Sequence, residues 1–349
     1  MTSNGVSSYS SRTTRSLTPG IFAPIPLFFV QGVRTSVYLR SIELHVVRLA
    51  GAGVRPLLAG TMGEGIHLTH GERTTLVRSA RNALDGAGFS HIPIIVGTGS
   101  GSTRETIVLC EEVAAAGADA VIVIPPGYFA GVLSSHRRAL KAFYVEVAER
   151  CPVPVLIYNY PGASAGIDLD SDLVVDLATS CPNLSGIKLT CGSVGKLTRI
   201  AAAVADPAFD KLYPRKNPNA PFLVLGGYAD FLTSSAFAHG HGAITGLANI
   251  APHALVKLFE LSEAAATRDP SRLPEAQQLQ GIIARADFTI AKASISGTKF
   301  LTERLFGYGG LPRKPLPPID PEDAERLWKH PHVQELLKTE LEFSDEQPL

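Results

Sequence analysis

The pentapeptide GIKLT, residues 186–190, places one lysine, Lys188, in an uncharged stretch where a short strand is predicted to end. A neutral lysine amine condenses with a ketone to give an imine, and the protonated imine withdraws electrons from a neighbouring carbon–carbon bond. The solution pKa of lysine, about 10.4, is too high for this reaction at neutral pH. We expect an apolar site, including Ile187, Leu189 and Val155, to lower it. The alternative is a structural lysine that reaches solvent or pairs with a distant carboxylate.

A second reactive group, Tyr158, ends the preceding predicted strand. Its phenol can carry protons to and from the intermediates of imine chemistry, although a tyrosine at a strand end is also a common core residue. The turn GTMGE, residues 60–64, offers backbone N–H groups that suit a carboxylate, and Thr61 adds a hydroxyl donor. The alternative for this turn is an ordinary connection between a strand and a helix.

A regular alternation of apolar runs and helical patterns must position these groups. Eight strand–helix units follow one another at a spacing of about 30 residues, and the strands are continuous apolar runs, as expected when both faces are covered. This pattern predicts an α/β fold, a TIM (β/α)8 barrel, with an open doubly wound sheet as the alternative. The predicted strands are 21–29, 54–60, 92–99, 119–126, 153–160, 184–189, 220–227 and 241–247.

In a TIM barrel the carboxyl ends of the strands form the active site, so Lys188 and Tyr158 are predicted to meet at the barrel mouth. The predicted helices are 36–53, 71–88, 102–118, 134–150, 168–180, 193–205, 228–240 and 251–266. Three further helical patterns, 272–290, 294–306 and 321–338, predict a helical C-terminal extension. The Pro-rich, basic segment 206–219 is predicted to be a surface loop.

These patterns give a predicted division of the chain into three parts. They are a disordered tail over 1–19, the barrel over 20–268 and the helical extension over 269–349. The first 20 residues are rich in Ser and Thr, contain two Arg and lack acids, which is typical of a disordered tail or of a mitochondrial presequence. We therefore expect a cytoplasmic protein, with the mitochondrion as the alternative.

The composition excludes several classes of function. The 349 residues carry 32 basic and 32 acidic side chains, and this balance argues against a nucleic-acid partner. No uncharged apolar run approaches the roughly 20 residues that span a bilayer, so we expect no membrane association. The four cysteines form no C-x-x-C pair, which predicts reduced thiols in an intracellular protein and neither a zinc site nor a disulfide framework.

Two further motifs receive structural interpretations. The run HGH at 239–241 is interpreted as a turn between a helix and a strand, because no H-E-x-x-H spacing supports a set of ligands, and no metal is predicted. The stretch 96–106, VGTGSGSTRET, follows a strand like a dinucleotide-binding loop but lacks the final glycine spacing of that motif. Nucleotide binding is kept only as an alternative.

Five motifs in order resemble the dihydrodipicolinate synthase / N-acetylneuraminate lyase family of class I aldolases, over about residues 20–310. They are GTMGEGIHLTHGER (60–73), IPPGYF (124–129), YNYPG (158–162), GIKLTCG (186–192) and GAITGLANIAP (242–252). The resemblance implies a TIM barrel that uses no cofactor and acts on a small keto acid. It also implies a homotetramer built as a dimer of dimers.

The resemblance also implies roles for matching positions. Lys188 would form the Schiff base with pyruvate or a related keto acid, and Tyr158 would be the acid/base phenol. Thr61 and the backbone N–H of Met62 would hold the substrate carboxylate, within a turn that includes Gly63. Ile244 would form a wall beside the imine, and Tyr128 would reach into a neighbouring subunit's site. Apart from the resemblance, Gly227 follows the seventh predicted strand and is a candidate substrate-binding residue by that position.

Two departures from the family pattern bear on the substrate. The second hydroxyl of the Gly-Thr-Thr-Gly-Glu turn is replaced by Met62, which removes one link of a proton relay. The synthase arginine that binds the aspartate-semialdehyde carboxylate is replaced by Ala163, at a loss of roughly 1.5–3 kcal/mol of binding. The sequence therefore favours cleavage of a 2-keto-3-deoxy sugar acid or of 4-hydroxy-2-oxoglutarate to pyruvate and an aldehyde. The alternatives are dihydrodipicolinate synthase itself and a keto-acid-binding barrel without turnover.

Overall fold

The computed structural model describes residues 15–30 and 36–344, in which eight parallel strands close into a barrel. In chain order the strands are β1 Gly20–Pro24, β2 Phe29–Val30, β3 Ser36–Val37, β4 Arg55–Leu58, β5 Ile95–Gly97, β6 Ala120–Val123, β7 Val155–Asn159, β8 Leu184–Leu189, β9 Leu223–Gly226 and β10 Gly242–Ile244. The barrel order is β1–β10–β9–β8–β7–β6–β5–β4, and β2 and β3 form a separate antiparallel pair. The predicted TIM barrel is confirmed.

Helices connect the barrel strands and continue beyond the last of them. They are α1 Leu39–Gly51, α2 His70–Gly86, α3 Thr103–Ala116, α4 Ala130–Leu133, α5 Arg137–Arg150, α6 Ser171–Ser180, α7 Val194–Val204, α8 Phe209–Leu212, α9 Leu232–Phe237, α10 Pro252–Thr267, α11 Leu273–Lys292, α12 Ser294–Phe306, α13 Pro321–Trp328 and α14 Pro331–Ser344. None of these helices is long and apolar enough to cross a bilayer. The last four form the predicted C-terminal helices, and α11 packs against α10 and α14.

The strands divide the core into two layers, because successive side chains of a strand point to opposite faces. Ile187, Leu189 and Val155 lie in the layer between the strands and the helices. Tyr158 and Leu225 lie in the core inside the barrel. Ile187, Leu189 and Val155 therefore point away from the barrel interior. The expectation that they create the apolar site of Lys188 is wrong.

Several predicted elements have different limits in the structure, and three of these differences have a clear physical origin. The helix predicted over 36–53 begins only at Leu39, because the chain before it forms β3. The predicted surface loop 206–219 contains the short helix α8, whose Phe209 is buried in the core. The pattern 321–338 is two helices rather than one, because Pro331 has no backbone N–H for the helical hydrogen bond and starts α14.

The N-terminal segment that the structure describes lies against the barrel. Leu17 is buried, and its backbone N–H donates to the carbonyl of Asn219 at 2.9 Å. The Arg15 guanidinium pairs with Asp119 at 3.0 Å. Residues 1–14 of the predicted tail lie outside the described residues, so the proposed division of the chain stays a prediction.

Candidate active site

Lys188 projects from β8 into the barrel mouth, with Tyr158 of β7 directly opposite it and Leu225 of β9 on its other side. Its Nζ atom lies 4.4 Å from the centre of the Tyr158 ring, and the side chain is buried. Burial lowers the pKa of Lys188 to about 7, and no charged group of the described residues contributes to this shift. At neutral pH about half of these side chains are therefore uncharged amines, the form that attacks a carbonyl carbon.

The Tyr158 phenol lies between the lysine and the turn after β4. Its hydroxyl is 3.4 Å from the Thr61 Oγ1 atom, and its ring stacks on Tyr160 with centroids 5.7 Å apart. Burial raises the pKa of Tyr158, while hydrogen bonds with the hydroxyls of Thr61 and Thr190 act in the opposite direction. The phenol is therefore held in its neutral, proton-carrying form beside the amine.

Close backbone packing shapes the turn that follows β4. A Cβ atom on Gly63 would lie 2.8 Å from the carbonyl oxygen of Ile25, so a larger residue does not fit there without a backbone shift. Glu64 ends the turn in a left-handed conformation, with φ 48°. Its buried carboxylate accepts from Lys299 Nζ on α12 at 2.9 Å and from the backbone N–H of Arg313 at 2.7 Å. The turn is thus fixed to the C-terminal helices.

Two cavities open on either side of Tyr158 and Thr61. The first, of about 150 Å³, is lined by Lys188, Tyr158, Thr61, Met62 and Gly227 among others, and we call it the lysine cavity. The second, of about 270 Å³, is bounded by the loops after β4 to β7 and includes Ala163 and Arg73 in its wall; we call it the outer cavity. Ile295 of α12 lines both cavities, together with Thr61 and Tyr158.

The remaining predicted site residues lie outside the lysine cavity. Gly63 supports the turn from behind and contributes no lining. Ile244 is fully buried and packs in the core inside the barrel with Tyr158, below the cavity rather than in its wall. Tyr128 is 88% exposed at the rim of this barrel. The structure thus brings five of the eight predicted residues together around one cavity.

The C-terminal helices contribute lining residues that the sequence reasoning missed. Asp287 on α11 and two hydroxyl-bearing residues of α12, Ser294 and Thr298, line the lysine cavity. Asp287 is buried, and its Oδ2 atom accepts from the backbone N–H of Ala229 at 2.7 Å. Burial raises its pKa to about 7. The sequence did contain a feature that could have identified Asp287. It is a carboxylate on the apolar face of α11, between Ile283 and Ile290 at helical spacing.

The two histidines of the HGH run serve the local structure. His239 has φ 60° in the turn before β10, and His241 Nδ1 accepts from the backbone N–H of Val224 at 3.0 Å. The described residues contain no group of three or more His, Cys, Asp or Glu side chains placed to hold a metal ion.

Comparisons with known proteins agree on one family. The sequence pattern of the dihydrodipicolinate synthetase family matches residues 43–330. L-threo-3-deoxy-hexylosonate aldolase of Aspergillus niger is 39% identical over 321 residues, covering 89% of this chain and 93% of that protein. A protein of Emericella nidulans named "Probable 4-hydroxy-2-oxoglutarate aldolase, mitochondrial" is 42% identical over 314 residues, covering 90% of this chain and 94% of its own.

A solved structure gives the same result. YagE of Escherichia coli K12, a prophage protein of the dihydrodipicolinic acid synthase family solved in complex with pyruvate, superposes with a TM-score of 0.76. Its sequence identity is 26%, and the match covers 92% of this chain and 99% of YagE.

Proposed function

Because this chain belongs to the dihydrodipicolinate synthetase family, we propose that it cleaves a 2-keto-3-deoxy acid, or a 4-hydroxy-2-keto acid, to pyruvate and an aldehyde. It is a carbon–carbon lyase of the class I aldolase type, as its relatives are. The observation that carries the proposed imine chemistry is the buried Lys188 amine with a pKa of about 7, beside the Tyr158 phenol on the neighbouring strand. A lysine in that state is suited to covalent capture of a ketone, and it needs no cofactor because the imine itself accepts electrons.

The first half of the proposed reaction forms the imine. The neutral amine of Lys188 attacks C2 of the keto acid, and the Tyr158 phenol transfers protons as water leaves. The substrate carboxylate binds to the Thr61 hydroxyl and to the backbone N–H of Met62. The 3.4 Å contact between Thr61 and Tyr158 supports this arrangement, because one hydroxyl then contacts both the carboxylate and the proton carrier.

The second half breaks the carbon–carbon bond. The phenolate of Tyr158, or a bound water, takes the proton of the C4 hydroxyl, and the aldehyde forms as the C3–C4 bond breaks. The electron pair of that bond moves to the protonated imine and gives an enamine. Protonation at C3 and hydrolysis then release pyruvate and return the free Lys188 amine.

The other predicted residues have proposed supporting roles. A Cβ atom on Gly227 would lie 2.1 Å from Thr190 Oγ1, so glycine keeps the end of β9 clear of the cavity wall. Gly63 allows the carboxylate-binding turn to pack against Ile25. Ile244 belongs to the same core inside the barrel as Tyr158, and its role as a wall beside the imine stays a proposal.

Borohydride trapping tests this proposal directly. Treatment with pyruvate and borohydride should add the mass of a reduced pyruvate adduct to the peptide that contains Lys188. Lys188→Arg, which keeps the positive charge but cannot form the imine, is the matched control and should give no adduct. Folded wild-type protein that forms no adduct at this lysine would contradict the proposal.

Two other functions are alternatives to the proposed cleavage reaction. Dihydrodipicolinate synthase activity requires recognition of aspartate semialdehyde, and Ala163 in the outer cavity supplies no cation for its carboxylate. A barrel that binds a keto acid without turnover is favoured only by Met62, which cannot relay a proton. An adduct at Lys188 without pyruvate release from any hydroxy keto acid would support the binding role.

We also propose the homotetramer and the cytoplasmic location that the sequence favoured. The exposed Tyr128, with Phe129 beside it at 62% exposure, supports an interface at the barrel rim. Sedimentation of wild type and Tyr128→Ala tests the assembly. The name of the Emericella relative favours the mitochondrial alternative, and imaging of fluorescent fusions with and without residues 1–14 decides between the two compartments.

A further inference from the structure

The lysine cavity has a distinct chemical character at the side formed by the C-terminal helices. Asp287 lies there with Ser294 and Thr298, whose hydroxyl donates to the carbonyl of Ser294 at 3.2 Å, and Tyr228 borders the same cavity. Among the described residues that line this cavity, Lys188 is the one cation, and the proposed imine uses it. This side of the cavity therefore presents hydrogen-bonding oxygens and no positive charge.

We propose that Asp287 binds hydroxyl groups on the aldehyde half of the substrate and thereby selects a polyhydroxylated 2-keto-3-deoxy acid over the dicarboxylate 4-hydroxy-2-oxoglutarate. This inference rests on the proposed function and narrows its substrate class. A carboxylate accepts hydrogen bonds from neighbouring hydroxyl groups, which makes it a suitable partner for a polyol chain. A second substrate carboxylate would instead face acceptor oxygens at a site with no cation to pair with it, which is unfavourable.

The position of Asp287 fits recognition of the distal end rather than catalysis at the imine. Its Oδ2 atom accepts from the backbone N–H of Ala229, the residue that follows Tyr228, so the carboxyl lies at the Tyr228 side of the cavity. No hydrogen bond among the described residues joins it to Lys188 or Tyr158. We expect a substrate held at C2 by the lysine to extend its distal hydroxyls towards this side.

A purely structural role for Asp287 is the main competing explanation. Its Oδ2 atom accepts from the backbone N–H of Ala229 and so helps to fix the turn after β9. Gln280, on the same helix, holds that turn independently. Its side chain donates to the carbonyl of Ala229 at 2.9 Å and accepts from the backbone N–H of Thr233 at 2.8 Å. Gln280 does not line the lysine cavity, so it provides a matched control.

The outer cavity offers the route by which a dicarboxylate would be accommodated instead. The Arg73 guanidinium borders it, and its two terminal nitrogens already donate to the carbonyls of Gly97 and Gly65 at 2.6 Å. Its Nε atom has no hydrogen-bond partner among the described residues, and Glu64, whose side chain is 0% exposed, also belongs to the cavity wall. A wild-type preference for the dicarboxylate would therefore make Arg73 the next residue to test as the partner of the second carboxylate.

The test compares kcat/KM for a six-carbon 2-keto-3-deoxy sugar acid and for 4-hydroxy-2-oxoglutarate, both measured as pyruvate release. Wild type should prefer the sugar acid. Asp287→Asn keeps an acceptor for the Ala229 N–H but loses the charge, and it should lower the sugar-acid preference about tenfold or more, mainly through KM. Gln280→Ala should change both substrates to the same extent and leave the preference as in wild type.

Each outcome decides whether Asp287 selects the polyhydroxylated substrate. A wild-type preference for the dicarboxylate overturns the inference without any variant, even if Asp287→Asn does not fold. An unchanged preference in folded Asp287→Asn, or the same loss on both substrates, assigns Asp287 a structural role and also overturns it. Absence of a borohydride adduct at Lys188 and of pyruvate from both substrates instead signals failure of the proposed function itself.

Discussion

Lys188 and Tyr158 are register partners on neighbouring parallel strands, and the lysine nitrogen lies 4.4 Å from the centre of the tyrosine ring. Both side chains point into the barrel because they occupy equivalent positions on the inward faces of β8 and β7. The ring covers the amine on one side, and Leu225 is its register neighbour on the other. This enclosure explains why burial alone lowers the pKa of the lysine.

The rate of imine formation should follow the fraction of neutral Lys188. With a pKa of about 7, the rate should rise from pH 5.5, reach half of its maximum near pH 7 and level off above pH 8. Adduct accumulation with pyruvate, stopped by borohydride at fixed times and counted by intact mass, measures it. A rate that still climbs about tenfold per unit above pH 8 would indicate an ordinary solvated lysine.

Replacement of Lys188 by Met should stabilise the fold while it abolishes activity. The folded-state pKa is lowered, so the unfolded chain binds more protons between about pH 7 and 10.5 and wild-type stability rises with pH over that window. The gain from Lys188→Met should be up to about 4 kcal/mol at pH 7, and it should shrink by about 1 kcal/mol from pH 7 to 8 and by about 1.4 kcal/mol from pH 8 to 9. Urea unfolding at pH 7, 8 and 9 measures it. A gain that does not vary with pH would refute this linkage.

Loss of the Tyr158 hydroxyl should slow the chemistry with little effect on substrate binding. Tyr158→Phe keeps the ring that packs over Lys188, and kcat should fall by about 10²–10⁴-fold because proton transfer is lost. Tyr160→Phe is the matched control. That ring stacks on Tyr158, but within residues 15–30 and 36–344 no hydrogen bond or ring contact joins it to Thr61 or Lys188. Equal losses in the two variants would argue against an acid/base role for Tyr158.

The eight strand–helix units and the pairing of Lys188 with Tyr158 were predictable from sequence because both depend on local patterns. Apolar runs recur at a regular spacing, and strand ends in a barrel meet at one face. The contribution of α11 and α12 to the site was not predictable in this way. It depends on contacts such as Glu64 with Lys299, which are 235 positions apart and leave no periodic pattern.

The wrong expectation about which apolar residues surround Lys188 arose from the strand pattern. Continuous apolar strands hide which residues face inward, because both faces are covered and the sequence shows no alternation. Only the register places Leu225 beside the lysine and turns Ile187 and Leu189 towards the helices.

Gly227 should not tolerate a side chain. The Cβ atom of Gly227→Ala would lie 2.1 Å from Thr190 Oγ1 and 2.5 Å from Thr190 Cα, so the end of β9 must move. We expect a loss of about 1–3 kcal/mol in the free energy of unfolding, together with a raised KM. Gly281→Ala on α11 is the control, because its Cβ would meet nothing closer than 3.5 Å and a helix interior favours alanine. Equal behaviour of the two variants in thermal unfolding would contradict the steric argument.

The buried ion pair between Glu64 and Lys299 should couple the barrel mouth to α12. Both side chains are 0% exposed, so Glu64→Gln leaves an unpaired ammonium in the interior at an expected loss of about 3–5 kcal/mol. The double variant Glu64→Gln with Lys299→Met removes that ammonium and should recover much of the stability. The exposed pair Arg285–Glu335 is the control, and Glu335→Gln should cost under about 1 kcal/mol. Because Ser294 and Thr298 of α12 line the lysine cavity, Glu64→Gln should also raise KM for the keto acid. An unchanged KM in the destabilised variant would show that the position of α12 at the cavity does not depend on the Glu64–Lys299 pair.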